Sequence, residues 1–202
     1  MEKVDLKELE LNINKLLRKQ LVSGKILLDK LSFIDENSRK TAAYVDPNYT
    51  PFYYHLGKFI NPKSFLSLNF NLGLLESCFL KSCKTVDYFY GFHQETKDYY
   101  SKRMGIYNLK FKKDKKVYIG DFRDNNFCNS VETSWDFILI NDEKSYDRCL
   151  EYLEFVWPYL NENGIIAVEN TYKTDSFKNF SESVNRESLI FNTRYGTGII
   201  QK

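Results

Sequence analysis

The chain has 202 residues, 43% hydrophobic and 28% charged, enough apolar side chain to bury a full core without disulfide or metal staples. A formal net charge of +2 is too small to argue for wholesale nucleic-acid binding. No stretch approaches the ~20 apolar residues of a membrane span, and the opening Met1-Glu-Lys-Val-Asp-Leu-Lys-Glu8 has no apolar leader, so a cytoplasmic protein is expected.

In chain order, Leu6, Leu9, Ile13, Leu16 and Leu17 share one face and predict an amphipathic helix over residues 2–22. Ser23-Gly24 breaks it, and Leu27, Leu31 and Ile34 suggest a second, shorter helix. Residues 1–45 therefore read as a helical extension, a cap or a contact between copies of the chain, ahead of an α/β domain at 46–202. Pro47 to Pro51 forms a turn that opens a helix at Phe52–Phe59.

Strands and helices then alternate. Phe65–Leu68 reads as a strand, Leu72–Ser82 as a helix, Thr85–Tyr90 as a strand, Gln94–Met104 as a polar helix and Val117–Ile119 as a strand. The clearest stretch is Trp135 to Tyr172. Asp136–Asn141 is a nearly continuous apolar run, and Tyr146, Cys149, Leu150, Leu153, Val156 and Leu160 fall on one helical stripe. Asn163-Gly164 ends that pattern, and Ile165–Val168 is a second apolar run closed by Glu169-Asn170-Thr171. Continuous runs flanking a helix point to parallel strands buried on both faces. A helix at Ser176–Val184 and two short β runs, Ser188–Asn192 and Thr197–Gln201, finish the chain. The pattern predicts a doubly wound, mostly parallel seven-stranded sheet with its last strand reversed. In such sheets ligands bind beyond the carboxyl ends of the strands, which directs attention to residues 141–144 and 169–171.

This order of elements resembles the class I S-adenosylmethionine (SAM)-dependent methyltransferase fold, a Rossmann-like fold, across residues 46–202. Leu66-Ser-Leu-Asn-Phe-Asn-Leu-Gly73 stands where the family has an acidic residue followed by Gly-x-x-x-Gly, and Gly120-Asp121 looks like its Gly-Asp after strand three. Trp135–Tyr146 and Trp157–Ile166 are similar to segments of small-molecule and sugar O-methyltransferases. The resemblance implies SAM as cofactor, with Asn69, Phe70, Asn71 and Gly73 around its methionine end. Tyr90 or His93 would reach the ribose, Asp121 and Phe122 the adenine, and Asn141 would lie under the methyl group. Asp142, Lys144 and Glu169 would face a small-molecule or sugar substrate.

The chain departs from the family pattern in four places. Ser67 replaces the first-strand acid, Asn69 the first glycine, Asn141 and Lys144 an Asp and a His, and no carboxylate ends strand two. Asn is the side chain best suited to replace glycine at positive φ, so the turn can survive. These changes motivate a second reading, a methyltransferase-like fold kept as a non-catalytic binding or assembly module, and the enzyme is preferred. Asn141, Glu169 and Asn170 match the Mg²⁺ ligands of catechol-type relatives, but exchanging a carboxylate for an amide weakens such a site and no metal is expected. Lys144, flanked by Asp142 and Glu143, reads more simply as a solvated lysine, and Asp121 as a loop aspartate bonding its own backbone. The lysines between 110 and 116, interrupted by Asp114, read as the solvated start of a strand, and His55 as structural. Four cysteines without metal-type spacing read as buried thiols.

Overall fold

The computed structural model describes residues 1–23, 50–69, 74–93, 114–120, 122–124, 134–141 and 145–202. The helices expected at 27–34 and 94–104 lie outside these residues. Helix α1 spans Leu6–Ser23, α2 Thr50–Ile60, α3 Leu74–Ser82, α4 Tyr146–Val156 and α5 Ser176–Ser183. Strands are β1 Ser64–Leu68, β2 Tyr88–His93, β3 Asp114–Ile119, β4 Trp135–Ile140, β5 Leu160–Glu169, β6 Ser188–Phe191 and β7 Thr197–Gln201. They form one seven-stranded sheet in the order β3-β2-β1-β4-β5-β7-β6. The pairs from β3 through β5 are parallel, and β7 runs antiparallel to both β5 and β6.

Every residue of β1 and β4 is buried, because helices cover both faces. Alternation along the strands divides the core into two layers. Phe65, Phe137, Leu139, Ile165, Ala167 and Ile199 pack under α1, α2 and α3, with Leu6, Leu9 and Ile13 of α1 in the same cluster. Leu66, Leu68, Ile138, Ile140, Ile166, Val168 and Ile200 pack under α4 and α5. Of the predicted stripe of α4, Cys149, Leu153 and Val156 are buried, joined by Tyr152, whereas Tyr146 is exposed and Leu160 belongs to β5; Ser145 caps the start of the helix by accepting from the Arg148 amide. Pro158 ends the helical path in a 3₁₀ turn, Trp157–Tyr159.

Several boundaries differ from the sequence reading: α1 starts at Leu6 rather than residue 2, β2 ends at His93 rather than Tyr90, and β3 starts at Asp114 rather than Val117. Strand β2 starts three residues later than expected, because Thr85 bonds to Asn61 instead: its amide reaches Asn61 Oδ1 at 3.3 Å and its hydroxyl donates to the Asn61 carbonyl. Strand β5 starts five residues earlier, at Leu160. Asn163-Gly164 does not end a helix; it lies inside β5, where Asn163 takes φ +62° and the register against β4 shifts. Lys115 and Lys116 belong to the edge strand β3, a placement that discourages pairing with another chain.

Helices α2 and α3 meet at Gly57, where an added Cβ would lie 2.5 Å from the Phe79 carbonyl oxygen. That oxygen is backbone and cannot rotate away. Gly57→Ala is therefore expected to lower stability by about 1–3 kcal/mol, read as a reduced urea midpoint. A wild-type midpoint would show that the two helices do not approach so closely.

Candidate functional site

Register places one row of residues just past the last paired level of the central strands. Leu68 pairs with Phe92 and with Ile140, and Ile140 pairs with Val168. The next residues, Asn69, His93, Asn141 and Glu169, therefore share the carboxyl edge, and Thr197 of β7 pairs with Glu169. This is the edge at which open α/β sheets bind ligands.

Alternation sends Ser67, Asn141 and Glu169 toward the layer under α2 and α3, and side chains from those helices meet them. From α2, the Tyr53 hydroxyl donates to Glu169 Oε1, which also accepts from Thr197 Oγ1 at 2.7 Å. From the first turn of α3, Glu76 comes down onto β1 and β4. Its Oε1 accepts from Ser67 Oγ at 2.6 Å and from Asn141 Nδ2 at 3.5 Å, the latter at the limit of a useful bond. Glu76 is 1% exposed and its Oε2 has no hydrogen-bond partner. Burial raises its carboxyl from the usual 4.5 to about 6, against the lowering effect of the bonds from Ser67 and Asn141.

Asn69 has φ +56°, so the residue in the glycine position does adopt the left-handed turn that Asn tolerates best. Tyr152 of α4 donates to Asn69 Oδ1 at 3.2 Å and holds the turn from the opposite layer. Asn141 continues the β1–β4 ladder by donating its amide to the Leu68 carbonyl at 3.0 Å.

Of the residues singled out from sequence, Asn69, His93, Asn141 and Glu169 are thus brought to one edge. Tyr90 is not. It lies on the sheet face three residues short of the end of β2, its ring 5.1 Å from that of Trp135, because the strand runs on to His93. Phe122 is 1% exposed, its ring 4.6 Å from Tyr152 and 5.2 Å from Phe155, so it is part of the core and no open ring face is offered to an adenine. Phe70, Asn71, Gly73, Asp121, Asp142 and Lys144 lie outside the described residues. Glu76, Tyr53 and Thr197 were missed. Glu76 had a signal: it interrupts the apolar stripe of Leu75, Cys78 and Phe79 with a carboxylate in the first turn of a helix.

Among the described residues no group of three or more His, Cys, Asp or Glu could hold a metal. His55 is buried on α2. Cys78 and Cys149 are buried and Cys83 half-buried, and burial pushes the Cys83 thiol up to about 12, which removes it as a nucleophile at neutral pH.

No protein-family model matches the chain, and no curated protein matches its sequence. Solved structures do match its fold. A methyltransferase from Geobacter sulfurreducens superposes with a TM-score of 0.61 at 10% identity, covering 100% of this chain and 90% of that one. The SAH-bound Podospora anserina methyltransferase PaMTH1 gives 0.60 at 12% identity, covering 99% and 89%. An O-methyltransferase from Bacillus cereus in complex with SAH gives 0.58 at 14%, covering 82% and 86%. With strand order and reversed β7, these likenesses establish the class I SAM-dependent methyltransferase fold for this chain.

The Glu76 carboxyl yields a pH-dependent stability. The native state keeps this proton to higher pH than the unfolded chain does. Stability therefore falls as pH rises from 4.5 through about 6, by about 2 kcal/mol in all. Glu76→Gln has no proton to lose. Urea unfolding is expected to show the variant gaining about that much on wild type between pH 4.5 and 7, and parallel pH profiles would refute the assignment.

Proposed function

We propose that this protein is a SAM-dependent methyltransferase acting on a hydroxyl of a small molecule or sugar. The observation that carries the reading is Asn69 at φ +56°, a left-handed backbone conformation in the position where the family has glycine. Glu76 Oε2, buried without a partner at the same edge, supports it, since an orphaned polar atom there suits a polar ligand. In this reading Asn69, Phe70, Asn71 and Gly73 hold the methionine end, Asp121 approaches the adenine amino group, and Asn141 borders the reacting centre.

When bound, SAM supplies a methyl group already activated on a sulfonium, which leaves the protein to align the acceptor, exclude water and receive one proton. Glu169, held by Tyr53 and Thr197, is the described carboxylate best placed to take that proton. Asp142 and Lys144, which follow β4 in the sequence, would orient the acceptor. The O-methyltransferase neighbour from Bacillus cereus favours a hydroxyl as the acceptor group.

Isothermal titration with S-adenosylhomocysteine (SAH) tests the reading. Saturable 1:1 binding is expected, retained in Asn69→Gly and weakened at least tenfold in Asn69→Val, whose branched side chain resists positive φ. Matching melting temperatures for the two variants would separate this from general unfolding. No heat and no thermal shift at millimolar SAH would end the proposal.

A further inference from the structure

Two of the carboxylates buried at the ends of the central strands are provided for differently. Asp136, at the amino edge, has both oxygens occupied: Oδ2 accepts from the Lys63 amide at 2.8 Å and Oδ1 from Asn161 Nδ2 at 2.9 Å. That is the normal condition of a buried carboxylate with a purely structural task. Glu76, at the carboxyl edge, is as deeply buried and is served on Oε1 alone. Among the described residues no cation pairs with it.

We propose that Glu76 is a ligand-binding residue whose free Oε2 receives the ammonium group of the amino-acid part of SAM. The proposal rests on the methyltransferase reading and deepens it. Three features of the chain support it. First, Glu76 stands in the first turn of α3, seven residues after Asn69 with its left-handed backbone, and its bonds to Ser67 and Asn141 place it at the same carboxyl edge. Second, Ser67 occupies the strand position where an acid was expected, and its hydroxyl donates to Glu76. A carboxylate is thus brought to the Ser67 position from the helix instead of from the strand. Third, a buried anion with one unsatisfied oxygen selects a cationic donor over a neutral or anionic group, because an ammonium both fills the bond and offsets the charge.

The test compares SAH with 5′-methylthioadenosine, which has the same adenosine thioether and lacks the amino-acid group. Titration calorimetry at pH 7.5 on wild type should show SAH binding at least tenfold tighter. In Glu76→Gln that preference should fall at least tenfold, with methylthioadenosine affinity within twofold of wild type. An unchanged preference, or equal weakening of both compounds, would overturn the proposal and make Glu76 structural. Should Glu76→Gln fail to fold, wild type alone still decides: N-acetyl-SAH, whose nitrogen carries no charge, should bind no better than methylthioadenosine, and binding equal to SAH would overturn the proposal. Failure of wild type to bind either SAH or methylthioadenosine would refute the methyltransferase reading itself, an outcome distinct from intact SAH binding that ignores Glu76.

Discussion

Burial of β1 and β4 on both faces is the constraint from which the site follows. All eleven of their residues have side chains that must fit between helices, and a polar group there needs a partner within reach. Polarity is therefore displaced to the strand ends. At the amino edge Asp136 and Ser64 answer each other and the neighbouring backbone. At the carboxyl edge Asn69, Asn141 and Glu169 arrive at one level because β1 and β4 pair without slip and β4 and β5 stay in step from Phe137 to Ile140. The sheet does not merely support this row; its register is what aligns it.

The two helices over one face complete the edge with side chains the strands do not supply. Tyr53 from α2 and Glu76 from α3 reach into the layer beneath them, and the close approach at Gly57 sets how those helices sit relative to each other. A hydroxyl and a carboxylate are thus delivered by helix packing, while the amides come from the strands. An ionised Glu76 is unfavourable in this surrounding, and such sites are where ligand chemistry tends to be stored rather than where stability is gained.

Much of the architecture was legible in the sequence because buried parallel strands and an amphipathic helix write different periods. Asp136–Asn141, the stripe through Cys149, Leu153 and Val156, and the reversed end of the chain all fall where periodicity puts them. Boundaries fared worse where one side chain overrode the pattern. Thr85 looks like a strand residue and is used to tie the loop at Asn61, and Asn163-Gly164 looks like a stop and is a bulge within β5. The site was legible along the strands, where counting to the end of an apolar run finds Asn69, Asn141 and Glu169. It was not legible across elements: nothing in the local pattern says that Tyr53 meets a residue 116 positions away or that Glu76 meets Asn141. Tyr90 was misplaced for the same reason that β2 was, since a strand moved by three residues moves its end.

The placement of β7 between β5 and β6 has a consequence for assembly. Residues 188–201 form a local hairpin, whereas the β5–β7 ladder joins Ile165 to Gln201 and Glu169 to Thr197 across a longer loop. Local pairing costs less chain entropy, so the hairpin can form before the β5–β7 ladder closes. Opening of that ladder would separate Thr197 from Glu169. Hydrogen exchange at the amides of Thr197 to Gln201 thus becomes a gauge of how often the crevice loses one wall, independent of any measurement of turnover.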